Sequence, residues 1–381
     1  MSSGILPFEI VALIIDIVEE NKDTNLLKEL ALVSHSFLQI CSKHLFATVE
    51  LNDYAVPIHR ASSIKKGFIN LLKSRPDVAK HIRKLTYRVV SNCSVSTPST
   101  DDLLSPILPN SLRTISGLKC LEINASRSDW NKLNSSWTSA FLHLMHLPTI
   151  NHIDLSFIHN FPLSSFTPAV NLLRLDVNYV YPFEEGISPD FVVQSEMMPK
   201  IREFHTSESS LLTKKLLHAK RQDGRPACNF TDLRQFSISA HSSEDEENIQ
   251  YLLQNIKFLE KLDLQLSHGW SLMGLPSHDI LSSCARTLKV LDLTVFSNHR
   301  SVSLELARLC EGIKAMAGHN MLEAVSLKVR TKPDFLSFNI HAGGHEEEDC
   351  ISSLIQELGK VLGTVRCSPG LVCVKGLGKF L

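Results

Sequence analysis

One short pattern of apolar residues, apolar-x-x-apolar-x-apolar, recurs nine times along the chain and restricts its fold more than any other feature. The instances begin at Ile82, Leu118, Ile150, Leu172, Ile201, Leu233, Leu259, Leu288 and Leu322, and their middle positions lie 22 to 36 residues apart. Thr206 replaces the last apolar residue in the fifth instance. Alternating apolar positions predict a short strand with one buried face. One repeat of this length cannot bury the apolar face of its strand alone, but it can do so by stacking on the neighbouring repeats. The pattern therefore predicts a solenoid.

Segments with helical periodicity separate these strands, at 138–147, 210–220, 248–255, 279–287, 303–317 and 350–362. Each unit is therefore predicted to consist of a strand, a turn, a helix and a segment that leads back to the next strand. Stacked units of this kind give an α/β fold with a concave parallel sheet and outer helices. Two insertions interrupt the units: 91–110, rich in Ser, Thr and Pro, predicts a mobile loop, and 331–349 precedes the last helix. Leu371, Cys373 and Val374 predict one more edge strand.

The first helix of the chain is predicted to begin at Pro7. The fixed φ of proline suits the first helical turn, and its missing N–H would be unpaired there in any case. Glu9 adds negative charge in this turn, where the helix dipole favours it. From Phe8 to Val18, apolar residues cover most of the circumference of this helix. It therefore needs partners on two sides.

Two further helices are predicted to complete a small N-terminal head, at 25–37 and 38–45, with Leu30 and Val33 inside it. A bridging helix is predicted at 64–74. About fifty residues cannot bury the whole apolar surface of the first helix, so one side of it is left for another partner. An ordinary amphipathic helical hairpin is the alternative interpretation of this segment.

The head resembles the F-box-like motif. The family pattern of Leu-Pro, an apolar helix, a Val-Ser-His-x-Phe segment and a closing apolar pair is met at Leu6, Pro7, Glu9, Ile14, Leu30, Val33, Ser34, Phe37, Leu45 and Phe46. Phe37 stands where many members carry Trp. From about residue 78 to 381 the strand segments resemble leucine-rich repeats, although the Asn expected three residues past each strand does not recur. Weak repeats behind an F-box are a common arrangement of F-box leucine-rich-repeat proteins, including large fungal sets.

The resemblance implies an F-box-like domain at 1–50, a bridging helical segment at 51–77 and a leucine-rich-repeat solenoid at 78–381. It implies the substrate receptor of a cullin-based ubiquitin ligase, a non-enzymatic subunit that holds a target protein for modification. The head would bind the ligase adaptor through Leu6, Pro7, Glu9, Ile10 and Ile14. The alternative is a scaffold of the same fold that mediates protein interactions without directing degradation.

The exposed face of the sheet is predicted to carry an acidic row. The residue between the last two apolar positions of each unit points away from the core, and this row reads Thr86, Glu122, Asp154, Asp176, His205, Ser237, Asp263, Asp292 and Ser326. Neighbouring carboxylates repel unless cations interleave, and Arg174, Lys261 and His152 are placed to do so. We predict that a basic segment of the target protein binds Glu122, Asp154, Asp176, His205, Asp263 and Asp292. A merely solvated strand surface is the alternative.

Composition gives no sign of a nucleic-acid or membrane partner. Lys and Arg number 39 against 40 Asp and Glu, for a net charge of −1. No stretch of eighteen apolar residues predicts a membrane span. The nine cysteines are scattered and never spaced as Cys-x-x-Cys, which suits reduced thiols and predicts a cytoplasmic or nuclear location.

No spacing typical of a catalytic or nucleotide-binding motif occurs, so neither an enzyme nor a cofactor is predicted. The densest histidine cluster is His341 and His345 beside four carboxylates at 346–349. These acids also precede the predicted helix at 350–362, where the helix dipole favours negative charge. A solvated loop is therefore favoured over a metal site.

Overall fold

A computed structural model describes residues 7–52, 58–88, 107–183, 197–221, 224–266, 286–297, 323–331 and 372–373. The chain divides into two compact units, Met1–Phe161 with Pro168–Leu172, and Pro162–Thr167 with Leu173–Leu381. Each unit contains a parallel sheet and helices, so the predicted α/β class is confirmed. None of the described helices combines the length and apolarity that a membrane span requires. The predicted boundaries at residues 50 and 77 stay predictions.

Three helices form the head of the first unit: α1 (Phe8–Glu20), α2 (Thr24–Ala31) and α3 (His35–Leu45). Pro7 stands directly before α1, as predicted. Asp23 Oδ1 accepts the N–H of Leu26 at 3.0 Å and so caps α2. The buried core of the head consists of Val11, Ile15, Leu27, Ala31, Ile40 and Cys41.

The predicted helix at 25–37 is wrong in its second half. The chain leaves the helix after Ala31, and Ser34 starts a new one because its Oγ accepts the N–H of Phe37 at 3.3 Å. Leu32 and Val33 lie in the turn between the two helices, where their side chains are 86% and 65% exposed. The prediction that Val33 lies inside the head is therefore wrong.

The sheet of the first unit begins earlier than the sequence predicts, because Thr48–Asn52 already forms a strand. Its strands pair in parallel in chain order as β1 (Thr48–Asn52), β2 (Lys84–Arg88), β3 (Cys120–Asp129) and β4 (His152–Phe161). Its further helices are α4 (Ile58–Ser74), α5 (Pro76–Ala79), α6 (Ile107–Leu112) and α7 (Ser135–Met145). The buried face packs on helices: the ring of Tyr87 lies 4.8 Å from Trp137 and 5.5 Å from Phe141, centre to centre.

The second unit continues the same plan. Its strands, again parallel and in chain order, are β5 (Arg174–Pro182), β6 (Glu203–Ser207), β7 (Gln235–Ala240), β8 (Lys261–Leu266), β9 (Val290–Ser297), β10 (Ala324–Thr331) and β11 (Val372–Cys373). Helix α8 (Ser210–His218) follows β6, and α9 (Ser243–Asn255) follows β7. Phe204 and Phe236 stack across neighbouring strands with ring centres 6.0 Å apart.

The predicted burial of the apolar positions is confirmed wherever the structure describes their side chains. All first, middle and last positions of the pattern from Ile82 to Leu293 are buried, at 4% exposure or less. The middle positions lie opposite one another, Leu85 with Leu121 and Leu121 with Ile153 in the first unit, and Leu175 with Phe204 in the second. The need to bury the apolar face thus explains why these segments form strands.

A repeated backbone contact fixes this register. The carbonyl oxygen of Arg83 accepts the N–H groups of Lys119 and Cys120 at 2.7 and 2.9 Å. The carbonyl of Arg234 likewise accepts those of Glu260 and Lys261 at 2.8 and 2.9 Å. The same arrangement recurs at the carbonyls of Ala47, Lys119, Leu173, Arg202, Glu260 and Lys289. The starts of β2–β4 in the first unit and of β6–β10 in the second are therefore tied to the strand before them.

Several helix boundaries differ from the predicted ones. Helix α9 begins at Ser243 rather than 248, because Ser242 and Asp245 form a capping box before the apolar periodicity starts. Residues 107–110 of the predicted loop are helical in α6. The predicted helices at 303–317 and 350–362 lie outside the described residues, as do 279–285, 332–349 and 91–106. The predicted edge strand is confirmed at Val372–Cys373.

Two glycines of the first unit make a matched test of this packing. A methyl group on Gly67, in the exposed part of α4, would meet nothing within 4 Å, so Gly67→Ala should stabilise by about 0.5 to 1 kcal/mol through helix propensity. A methyl group on Gly117 would lie 2.6 Å from the carbonyl oxygen of Lys80, so Gly117→Ala should destabilise. Urea denaturation of both variants checks this, and a shift of the same sign in both would refute the described packing.

Candidate protein-binding surfaces

A stripe of aliphatic side chains is exposed on α1. It consists of Ile10, Leu13, Ile14 and Ile17, which follow the spacing i, i+3, i+4 and i+7 and therefore lie on one side of the helix. Each is between 42% and 56% exposed. Val11 and Ile15 face the opposite way, into the head core. We call these four residues the α1 stripe.

Most of the predicted adaptor-binding residues are placed on the head surface. Pro7, Glu9, Ile10 and Ile14 are all exposed, and Ile10 and Ile14 belong to the α1 stripe. Leu6 lies outside the described residues. Leu13 and Ile17 were absent from the predicted set, although the helical spacing from Ile10 would have found them.

Contiguous aliphatic exposure of this kind is uncommon on the surface of a soluble chain, where apolar residues are more often scattered singly. The head core cannot also bury the α1 stripe, because side chains of α2 and α3 already pack there against the other side of α1. Leu26, Leu32 and Val33 add further exposed apolar residues to the head. The head thus presents apolar surface that its own core does not bury.

The second candidate surface lies, in each unit, on the face of the sheet opposite the apolar positions. In the first unit, Thr86, Glu122 and Asp154 lie side by side in register, as predicted. Lys84 forms an ion pair with Glu122, and the Thr86 hydroxyl donates to Glu122 Oε2 at 2.8 Å. Burial alone would raise the pKa of Glu122, but these two partners outweigh it and hold the pKa below its usual value. Glu122 is therefore ionised at neutral pH.

In the second unit the row runs Asp176, His205, Ser237, Asp263, Asp292 and Ser326, again in register. The guanidinium of Arg174 donates to both oxygens of Asp176, with Nη2 2.9 Å from Oδ2, and its Nη1 lies 3.5 Å from Glu203. The predicted compensation by Arg174 is confirmed. Asp176 itself is buried, at 6% exposure, and so is Thr86 in the first unit, at 4%, so the predicted exposure of the row is wrong at these two positions.

His205 lies beside this ion pair. Its Nε2 is buried, has no hydrogen-bond partner among the described residues, and lies 3.9 Å from Asp176 Oδ1. Burial lowers the pKa of His205, although the neighbouring Asp176 works in the opposite direction. The imidazole is therefore neutral at neutral pH and does not offset the negative charge of the row.

Asp263 and Asp292 lie directly opposite each other on β8 and β9. Lys261 Nζ lies 3.2 Å from Asp292 Oδ2, which confirms the second predicted compensating cation. Asp263 instead accepts the hydroxyl of Ser237 at 3.2 Å. Burial, followed by the like charge of Asp292, raises the pKa of Asp263 even though Ser237 and Lys261 lower it. The charged form of Asp263 therefore costs folding free energy.

The strands β5–β9 carry more negative than positive charge on this face. Their outward positions hold the four carboxylates of Asp176, Glu203, Asp263 and Asp292 against the two cations Arg174 and Lys261. Four minus two leaves an excess of two negative charges over the described side chains of these strands. The row is thus more neutralised than the sequence alone suggested, but it remains acidic.

The pKa shift of Asp263 predicts a pH-dependent stability effect. The pKa of Asp263 is higher in the folded chain than in the unfolded chain, so the folded chain holds this proton more tightly. The free energy of unfolding therefore falls as the pH rises through the folded pKa. Asp263→Asn removes this cost, and its amide oxygen can still accept from Ser237. We expect the variant to be more stable than wild type at pH 7, with the gain lost near pH 3. Guanidinium denaturation at both pH values tests this; an equal gain at both would exclude the electrostatic explanation.

The described residues contain no group of three or more histidine, cysteine, aspartate or glutamate side chains arranged to hold a metal ion. The His341 and His345 cluster lies outside the described residues. A comparison with models of known protein families gives no match, and a comparison with curated protein sequences gives none either.

Proposed function

We propose that this protein is the substrate receptor of a cullin-based ubiquitin ligase, with an F-box-like head that binds the ligase adaptor and a leucine-rich-repeat-like solenoid that binds a target protein. The observation that carries the proposal is the α1 stripe. Four aliphatic side chains of one helix are exposed beside a filled core, in a head whose sequence resembles a motif that docks on an adaptor.

The energetics of the α1 stripe support this role. Burying a large aliphatic side chain contributes about 1.5 to 3 kcal/mol. Association costs at least several kcal/mol of translational and rotational freedom, so one or two such side chains would not hold a partner. Four on one helix, with Leu32 and Val33 exposed at the end of α2, supply enough apolar surface for a stable complex.

The acidic row supports the second half of the proposal. Asp263 is ionised only at a cost to folding, because burial and Asp292 both oppose its charge. Ionisable groups whose pKa is shifted by burial and by a neighbouring charge are more frequent at functional sites than elsewhere. An excess of negative charge on an extended strand surface fits a basic segment of a target, whose approach it would accelerate.

The same fold could serve as a scaffold that binds the adaptor or a partner without directing degradation. Deleting residues 1–46 removes the head and retains β1, so it separates the two functions. We propose to identify the proteins that co-purify with the full chain and with the shortened chain, and to measure their half-lives in cells that express each form. A receptor predicts proteins that bind both forms but turn over faster only with the full chain. Unchanged half-lives would favour the scaffold.

A further inference from the structure

Cys120 lies beside a histidine on the exposed face of the first unit. It opens β3, and its Cα lies opposite those of Lys84 on β2 and His152 on β4. Cys120 Sγ is 3.1 Å from His152 Nδ1 and 4.0 Å from Glu122 Oε1. Both Cys120 and His152 are partly exposed to solvent.

The other cysteines whose side chains the structure describes are in a different situation. Cys41 and Cys228 are buried, and burial raises the pKa of both thiols, that of Cys228 to about 12. Buried thiols of this kind are inert. Cys120 alone among these three combines solvent access with a base within hydrogen-bond distance.

The geometry places a base next to the Cys120 thiol. His152 Nδ1 accepts the thiol proton when the ring carries its own proton on Nε2, and the resulting imidazolium then stabilises the sulfur anion. Glu122 would oppose an anion at this place, but Lys84 pairs with it. Asp154 lies opposite Glu122 rather than opposite Cys120, and Glu50 and Arg88 lie opposite Thr86 and Asn124. A nucleophile beside a base is the geometry that activates cysteine.

We propose that Cys120 is a modification site, a nucleophilic thiol activated by His152 that reacts with soft electrophiles and hydroperoxides. With hydrogen peroxide, the sulfur attacks one oxygen, an S–O bond forms and the O–O bond breaks. The leaving hydroxide takes the proton that His152 received and becomes water. Cysteine is thereby oxidised by two electrons to the sulfenic acid, and the peroxide is reduced.

The position of Cys120 gives its modification a consequence. The sulfur lies within 4.0 Å of Glu122, the first acidic member of the row, so an adduct would alter the surface around that carboxylate. Regulation of target binding by this route rests on the proposed function, whereas the reactivity of the thiol does not. The test below therefore measures reactivity alone, without adaptor or target.

Alkylation of the full chain by iodoacetamide provides that test. The sulfur displaces iodide, an S–C bond forms, and the proton passes through His152 to solvent. We expect Cys120 to be carbamidomethylated at least about tenfold faster in the wild type than in His152→Gln at pH 6.5, as measured by peptide mass spectrometry over time. His159→Gln, on the same strand, is the matched control and should leave the rate unchanged. Equal rates at Cys120 in wild type and His152→Gln would overturn the proposal.

A second measurement needs no variant and so does not depend on the folding of His152→Gln. An ordinary thiol has a pKa near 8.5 and slows about tenfold for each pH unit below it. At pH 6.5 the Cys120 peptide should therefore label faster in the native chain than in the chain unfolded by urea, while the Cys41 and Cys228 peptides label more slowly in the native chain. Slower labelling of native Cys120 than of its unfolded form would also overturn the proposal.

Discussion

Replacing Ile10 and Ile14 together by alanine is expected to weaken adaptor binding about tenfold to a hundredfold and to leave the stability of the chain nearly unchanged. Complete burial of such a side chain contributes about 1.5 to 3 kcal/mol, and the two are 42% and 43% exposed in the free protein. Burying what is exposed therefore contributes about 1.3 to 2.6 kcal/mol in total, or about one to two decades in the dissociation constant. Because both are exposed in the free protein, the free energy of unfolding should change by no more than about 0.5 kcal/mol. Calorimetric titration and thermal unfolding of the same variant measure the two quantities.

Ile15→Ala is the matched control for this experiment. Ile15 lies on the other side of α1, is fully buried and packs in the head core, so its truncation should destabilise the head by about 2 to 5 kcal/mol. The two variants therefore separate loss of contact from loss of fold. Retained adaptor affinity in the Ile10 and Ile14 variant would show that the α1 stripe is not the adaptor surface.

Replacing Asp263 and Asp292 together by lysine is expected to weaken binding of a basic target by about two orders of magnitude at low salt. The change turns the excess of two negative charges on β5–β9 into an excess of two positive ones, and it places a lysine at position 292 next to Lys261. Like charges across the interface slow association, and salt screens the effect. Association and dissociation rates of a co-purified target at 50 and 300 mM salt test this.

Two comparisons make this result specific. Asp263→Asn with Asp292→Asn removes the charges without reversing them, so its effect on the association rate should be smaller and of the same sign. Adaptor binding through the head should be unaffected in both double variants, because neither position belongs to the head. A target affinity unchanged by the lysine variant at 50 mM salt would mean that the row is only a solvated surface.

The sheet could be predicted from the sequence because one physical constraint repeats. Each unit must bury the face that carries residues such as Leu121 and Ile123, and the alternation of a strand then determines that Glu122 lies on the opposite face. The register of Asp263 with Asp292 followed from the same positions. The register of the acidic row could thus be predicted from the sequence, whereas the burial of Thr86 and Asp176 could not.

The features that could not be predicted depend on contacts that periodicity does not encode. Strand β1 is an exception, because Phe46, Val49 and Leu51 carry the same apolar spacing as the later strands. Phe46 was instead assigned to the closing apolar pair of the head, and the strand is identified by its pairing with β2. The helix break before Ser34 depends on a hydroxyl cap, whereas the apolar Leu32 and Val33 suggested an uninterrupted helix.

The Cys120 and His152 pair was missed for a similar reason. The two residues are 32 positions apart and no motif links them. Only the register of β3 with β4 brings them together.

Calorimetric titration of the full wild-type chain with the purified adaptor of the cullin ligase tests the central claim most directly. The proposal predicts a one-to-one complex with a dissociation constant in the micromolar range or tighter, and a negative heat-capacity change because the interface buries the aliphatic α1 stripe. Absence of binding at about 100 μM of both proteins would contradict the F-box-like assignment of the head, and the receptor function with it.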